Sequence, residues 1–468
     1  MRQTHFALAV LTAAVLSACG GGSDGTSADE QKLKTTFSNM VSFGDSLSDV
    51  GTYAVGTIKA AGGGKFTING DNTAINPALT GKNWTELIAA QFGLPAPCAA
   101  QTGLDGDAAQ GFSVPVVNHA NCFSYAQGGA RVINPVGPEH KLTGSALGLL
   151  TVPVVQQVSN HLAKTNGKFS GTEVVFVTAG GIDALALLGE LQAGATAAGQ
   201  AAGAAEGAKV GAQVYLSTLI ALLADGATDK QAAAQAIGLA AQTEAQRTGS
   251  TQETITQVAI GTAAAQPGNA AVGQVEVYGP IVVKARFTAE AAGKTAGEAA
   301  GAKAGADYAA AQAPALVTAM GTAGAQLAGI VKEMIVANGA NYVVVNNLPD
   351  LGGSPAGKAQ DAATQTLINT MVATFNDQLR KGLGTDSKIL YVDLYTTSHD
   401  QINNPAPYGL TNTTSAACTV DSLICTGKTL VAGDVSRYMF ADNVLPTPFE
   451  NALIAKYVAQ QMIIKGWL

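Results

Sequence analysis

The sequence predicts an α/β protein in three layers, a parallel sheet with helices packed on both faces. Short β-rich runs alternate with longer helical patterns along the chain, which is the signature of that architecture. The β-rich runs are apolar throughout, as in Val174-Val175-Phe176-Val177, Tyr342-Val343-Val344-Val345 and Ile389-Leu390-Tyr391-Val392. Continuous apolar character suits strands covered on both faces, whereas a half-exposed sheet would alternate. At 468 residues the chain is long enough for one large domain or two ordinary ones.

The expected strands are 40–43, 123–126, 173–178, 341–346 and 388–393. Helices are expected around 84–92, 152–164, 316–338, 362–383 and 448–464. In parallel sheets of this kind, active sites gather at the carboxyl ends of the strands, which places Ser46 at such an end.

The interval 186–315 breaks the rhythm. It is rich in alanine and glycine and carries two ladders, Gly199, Gly203, Gly207, Gly211 and Gly293, Gly297, Gly301, Gly305. Glycine costs about 1 kcal/mol against alanine inside a helix, so two such ladders need a reason. Spaced by four, the glycines form a groove without side chains where another helix can approach. The two ladders are expected to pack on each other as a helical insertion, a hairpin or lid; a loosely ordered low-complexity loop is the alternative. The stretch 273–288 reads as a small β-hairpin with Tyr278-Gly279-Pro280 at its turn. Lysines and glutamates interrupt the ladders, which argues against a membrane-spanning role for the small-residue pattern.

The net charge of −7 argues against a nucleic-acid partner, and the apolar fraction of 47% against disorder beyond the N-terminus. The first nineteen residues read as an export signal, with Arg2 ahead of a short apolar run. Their end, Leu16-Ser17-Ala18-Cys19, resembles the lipobox of bacterial lipoproteins. That resemblance implies lipidation at Cys19, a flexible tether over 20–36 and, with Gly20 following, anchoring in the outer membrane of a Gram-negative cell. Four cysteines remain, Cys98, Cys122, Cys418 and Cys425, and allow three pairings. Proximity favours Cys98 with Cys122 and Cys418 with Cys425 in an oxidising compartment. No CxxC or histidine cluster accompanies them, so neither a metal nor any other cofactor is expected.

A catalytic serine needs a general base, an orienting carboxylate and an oxyanion hole. The GxSxG elbow of α/β-hydrolases is absent at Ser46. The string Phe43-Gly44-Asp45-Ser46-Leu47-Ser48-Asp49-Val50-Gly51 instead resembles the SGNH, or GDSL, family of ester hydrolases. Tyr125-Ala126-Gln127-Gly128-Gly129-Ala130 is similar to the second block of that family, whose last glycine, here Gly129, offers a backbone N–H to the oxyanion. The resemblance implies a flavodoxin-like SGNH fold over 37–185 and 316–468, acyl ester hydrolysis and Ser46 as nucleophile. Its oxyanion donors are Ser46, Gly129 and an asparagine, with Asp442 orienting a histidine base.

Two positions depart from the pattern. The third block, GxND in the family, reads Gly180-Gly181-Ile182-Asp183, so Ile182 stands where the asparagine is expected. The last block, DxxHP, reads Asp442-Asn443-Val444-Leu445-Pro446, so Leu445 stands where the histidine is expected. Four histidines besides His5 of the signal remain. His161 reads as a surface residue of a helix and His119 lies between two paired cysteines. His399 follows the fifth strand, and His140, on the loop after Gly129, is the candidate substitute base. Loss of a triad member costs on the order of 10⁴ to 10⁶ in turnover. The expected protein is therefore a severely impaired or inactive relative of an esterase. The alternatives are an active esterase using His140, or a non-catalytic surface lipoprotein. Its partners would be an acyl ester or lipid-like small molecule and, through Cys19, a membrane.

Overall fold

The computed structural model describes residues 35–70 and 80–468. The expected signal, Cys19 and most of the tether lie outside the described residues. The strands are β1 (Met40–Gly44), β2 (Gln101–Asp105), β3 (Ser113–Asn118), β4 (Val174–Thr178), β5 (Tyr342–Asn346), β6 (Ile389–Val392), β7 (Asn412–Ala416) and β8 (Tyr438–Phe440). The main sheet has the order β1-β4-β5-β6, every pair parallel, with Val41 opposite Val175 and Val175 opposite Val343. β2–β3 and β7–β8 are separate two-stranded ribbons. The protein is thus a mixed α/β structure on a parallel sheet, an SGNH-type α/β/α sandwich.

Side chains alternate along each strand, so the two faces of the sheet build two cores. One holds Val41, Phe43, Val175, Val177, Val343 and Val345. It is covered by α2 (Val154–Lys164), by the last turns of a long helix (Leu316, Met320, Leu327), and by Ile368, Met371, Phe375 and Leu379. The other face presents Met40, Phe176, Val344 and Val392 to Trp84 and Ile88 of α1 (Trp84–Gln91) and to Val458 and Met462. The segment expected as a strand at 123–126 runs beside β1 through a single bridge, Ser42 with Ser124. Backbone hydrogen bonds continue along it, from the Ser42 N–H to the Phe123 carbonyl, the Tyr125 N–H to that of Ser42 and the Gln127 N–H to that of Gly44. It thus lies as a short parallel edge segment between the Cys98–Cys122 disulfide and the Gly128-Gly129 turn.

The helices following α2 are α3 (Gly181–Ala224), α4 (Lys230–Ala245), α5 (Gln252–Ala264), α6 (Val275–Gly329), α7 (Ala362–Leu383), α8 (Leu394–Asn403) and α9 (Pro448–Lys465). At 1.5 Å per residue, α3 and α6 extend about 65 and 80 Å. Their glycine ladders face each other in antiparallel register. A Cβ built on Gly203 would lie 2.8 Å from the Gly297 carbonyl oxygen, and one on Gly297 would lie 2.7 Å from that of Gly203. Gly199 meets Gly301 and Gly207 meets Gly293 in the same way. The far end closes in a small core of Tyr215, Leu219, Leu223, Ile237, Ile260, Ala285 and Ala289. Both helices run unbroken through 185/186 and 315/316, so the arm and the sandwich share their helices. By length and hydropathy alone each helix could cross a bilayer (window means 1.4 and 1.3).

Residues 273–288 are not a hairpin. α6 begins at Val275 and carries Pro280 inside it. The β-branched run suggested a strand, but Ala285 and Ala289 fit helically into the arm's core, and tertiary packing overrides a propensity of a few tenths of a kcal/mol per residue. The second disulfide joins Cys418 to Cys425.

Candidate active site

β1 ends at Gly44, and Ser46 opens a single 3₁₀ turn just beyond it. Gly44 has φ +149°, and a Cβ there would lie 2.0 Å from the Thr178 carbonyl oxygen, so only glycine lets β1 and β4 approach this closely. The Gln157 amide of α2 clamps Gly44 from both sides. Its Oε1 accepts the Gly44 N–H at 2.8 Å and its Nε2 donates to the Gly44 carbonyl at 2.8 Å. Asp45 caps the turn by accepting the Leu47 N–H. Burial, opposed by that hydrogen bond and reinforced by the charge of Asp183, pushes the Asp45 carboxyl up to about 7.

The second motif aspartate ties the nucleophile turn to the glycine turn. Asp49, fully buried, accepts the N–H groups of Gly51 and Thr52 on Oδ1 and that of Gly128 on Oδ2, at 2.8–2.9 Å. Tyr53 Oη donates to the Gly128 carbonyl at 2.8 Å. In a trans peptide the carbonyl and the following N–H point opposite ways, so anchoring the Gly128 carbonyl turns the Gly129 N–H away from Tyr53. Gly129 itself sits at φ +78°. Among the described residues neither the Ser46 N–H nor the Gly129 N–H has a hydrogen-bond acceptor. Two preset, unspent donors are what an oxyanion hole needs.

Ser46, Gly129, Ile182, Asp442 and Leu445 line one cavity of about 640 Å³. Most of its wall is apolar, including Leu47, Phe66, Leu149, Leu348, Met439 and Ile454. Ile182 is buried in the first turn of α3, and its side chain has no polar atom to offer an oxyanion. Asp183 beside it turns away, accepting Arg131 Nε and the Val132 N–H, each at 3.0 Å, and so fastens the chain after Gly129. Asp442 Oδ1 accepts the N–H groups of Val444 and Leu445 at 2.8 Å, and Oδ2 accepts that of Ser422. The carboxylate is taken up by backbone, and no side chain meets it among the described residues.

No histidine lines this cavity among the described residues. His140 caps a short 3₁₀ turn, its Nδ1 accepting the Leu142 N–H, and only its neighbours Pro138 and Glu139 reach the cavity wall. His119 pairs with Thr102. His399, on α8, has Nδ1 2.7 Å from Asp350 Oδ2, and it is the residues around it, Thr397, Ser398 and Gln401, that line the cavity. His161 is not a surface residue: it is buried among the rings of Phe43, Phe123, Tyr125 and Phe169. Burial there, with Lys164 nearby, holds its imidazole down at about 4.

The sequence reading did not single out Asp49, Tyr53 or Gln157. Asp49 was visible within the motif itself. Tyr53 and Gln157 carry no local signal, since their partners lie 75 and 113 residues away. Glu450 was also missed: it lines the cavity from the first turn of α9, buried, with Oε2 lacking a partner.

No family model matches the chain. Curated proteins of Arabidopsis thaliana do. The chain is 28% identical over 139 residues to the GDSL esterase/lipase APG, a match covering 26% of this chain and 39% of that protein. It is 30% identical over 149 residues to GDSL esterase/lipase At2g40250, covering 26% and 40%. With GDSL esterase/lipase EXL6 it shares 32% over 108 residues, covering 21% and 30%. The match thus spans about two fifths or less of the length of these relatives. Similarity confined to a quarter of the chain, on a parallel sheet that ends in the Gly44–Ser46 turn, supports the GDSL esterase and lipase family for this protein.

Proposed function

We propose that this protein is a GDSL-type ester hydrolase by descent that now holds an acyl ester or lipid-like ligand while turning it over very slowly or not at all. One observation carries the reading: aliphatic carbon, Leu445, stands beside Asp442 at the cavity wall, and no imidazole shares that wall. In the intact reaction Ser46 Oγ attacks the acyl carbonyl and the N–H groups of Ser46 and Gly129 hold the oxyanion. A base held by Asp442 takes the Oγ proton and delivers it to the leaving alcohol, and water then releases the acid. Here the attack lacks its proton acceptor, and without one Ser46 stays a neutral alcohol. The amide missing at Ile182 is by itself worth about 10²–10³ in rate, a loss that does not add to the larger one at Leu445 because both act on the same step. We place the protein outside the cytoplasm, tethered by lipid at Cys19.

Hydrolysis of a short p-nitrophenyl ester tests this. The chain as written is expected to show no turnover that Ser46→Ala abolishes. Leu445→His combined with Ile182→Asn is expected to create Ser46-dependent turnover. Robust Ser46-dependent hydrolysis by the unaltered chain, or a folded but inert double variant, overturns the reading.

A further inference from the structure

Five acidic side chains line the cavity, Asp45, Glu139, Asp421, Asp442 and Glu450, and among the described residues no lysine, arginine or histidine does. None of the five takes part in an ion pair among the described residues. Arg131, which lies close to this region of the chain, is paired with Asp183 instead. Glu139 and Asp421 are exposed at the rim, Asp442 is half-buried, and Asp45 and Glu450 are buried. Partial desolvation against the rim raises the Asp421 carboxyl, and repulsion from Asp442 and Glu139 adds to it, so these three acids form one electrostatic cluster. Glu450 is the independent sign of a missing partner. It is 3% exposed, lines the cavity, and its Oε2 has no hydrogen-bond donor. Burial pushes the Glu450 carboxyl up to about 8 and that of Asp45 to about 7. Near neutral pH the negative charge of the wall therefore rests on Glu139, Asp421, Asp442 and part of Asp45, while the unpaired Glu450 oxygen offers a polar contact to a ligand.

We propose that the cavity selects amphiphiles with a cationic head and an apolar tail, and rejects those that carry a carboxylate. The inference rests on the ligand-holding function proposed above and names its ligand class. The apolar wall takes the tail, the N–H groups of Ser46 and Gly129 take an ester carbonyl without needing charge, and the acids take the head. In a low-dielectric cleft lined by one sign of charge, field lines concentrate and counter-charged ligands accumulate. A unit charge about 8 Å from one unpaired carboxylate, at an effective dielectric constant near 20, already changes affinity by about thirtyfold before screening. The same field repels a free fatty acid, so a hydrolysed ester leaves as a disfavoured product.

The test compares three ten-carbon amphiphiles below their micelle concentrations: decyltrimethylammonium, decyl tetraethylene glycol ether and decanoate. Each displaces the uncharged fluorophore N-phenyl-1-naphthylamine from the full chain. At low salt the cation is expected to bind on the order of 100-fold more tightly than decanoate, with the ether between them. The ratio is expected to fall several-fold in about 0.5 M salt. Glu139→Gln with Asp421→Asn, both at the exposed rim where folding tolerates them, is expected to shrink the ratio about tenfold while leaving the ether within twofold. Decanoate binding as tightly as the cation, or a ratio indifferent to the rim substitutions, overturns the inference alone. If the fluorophore and the ether both fail to bind, the ligand-holding function falls and this inference with it.

Discussion

The two halves of the cavity are built to different standards. On the nucleophile side buried side chains hold the backbone that flanks Ser46 and Gly129. Gln157 clamps Gly44, Asp49 gathers three N–H groups, and Tyr53 fixes the Gly128 carbonyl. On the opposite side the Asp442 carboxylate is spent on the backbone N–H groups of Val444, Leu445 and Ser422. Thr67 and Ala356 hold the carbonyls of Pro446 and Asn443, so that loop is fixed through its backbone and not through a base. A half braced by buried side chains keeps its shape regardless of chemistry, and a loop fixed through its backbone keeps its shape whichever side chain stands at 445. Under the function proposed above, this is how the oxyanion donors outlast the base.

The largest expected effect sharpens this contrast directly. Leu445→His alone is expected to recover about 10³–10⁴ in Ser46-dependent turnover, because it supplies the missing base. Ile182→Asn alone is expected to recover nothing measurable, because an added oxyanion donor cannot move a proton. Steady-state kinetics of the two single variants beside the double one would check the order. If the asparagine variant were the more active, the nucleophile side would not be complete as described.

Next come the two aspartates. Asp49→Ala leaves three buried N–H groups without an acceptor and is expected to cost on the order of 3–5 kcal/mol in urea unfolding. Asp442→Ala, in a half-buried loop, is expected to cost less than about 2 kcal/mol. Equal costs would erase the distinction between the halves.

The halves should also respond oppositely to pH. His161, behind the nucleophile strand, titrates at about 4 when folded against about 6.5 when free. Its contribution is therefore present above pH 6.5 and lost as pH falls toward 4. Glu450, beside the Asp442 loop, is pushed by burial up to about 8 from about 4.5. Its contribution is present below pH 4.5 and lost as pH rises through 8. Each limb amounts to on the order of 3 kcal/mol. Unfolding free energies measured from pH 4 to 8.5 should lose the acid limb in His161→Phe, and in Glu450→Gln should keep only the part of the alkaline limb that Asp45, pushed up to about 7, contributes. Neither substitution should alter the other limb.

Smallest is the effect of Tyr53→Phe. In the Leu445→His, Ile182→Asn background it is expected to lower kcat about tenfold with KM unchanged, and to cost roughly 1 kcal/mol of stability. A change in KM alone would mean that Tyr53 shapes the binding wall and does not position the Gly129 N–H.

Much of this was legible in the chain. The runs at 174–177, 342–345 and 389–392 are strands because short unbroken apolar sequence rich in β-branched and aromatic residues suits a sheet covered on both faces. The glycine ladders read as a helix contact because only glycine lets backbones meet. Elsewhere local sequence misled. Residues 275–288 look like strand and are helix, since the arm's core claims Ala285 and Ala289 at helical spacing. His161 sits in a polar-looking helix and is buried because that helix turns this face onto Phe43 and Phe169.

The sequence by itself determined the layers, the ladders and the motif residues at Ser46, Gly129 and Asp442, with Ile182 and Leu445 at the two positions that depart from the pattern. Those features repeat at fixed local spacings or are single residue types, and neither depends on how distant segments meet. Tertiary structure alone decided that Tyr53 and Asp49 aim the Gly129 N–H, that five acids share a wall with no base, and that Glu450 is left without a partner. Such facts are made where segments far apart in the chain are pressed together, and burial there sets the charge and direction that no local pattern encodes.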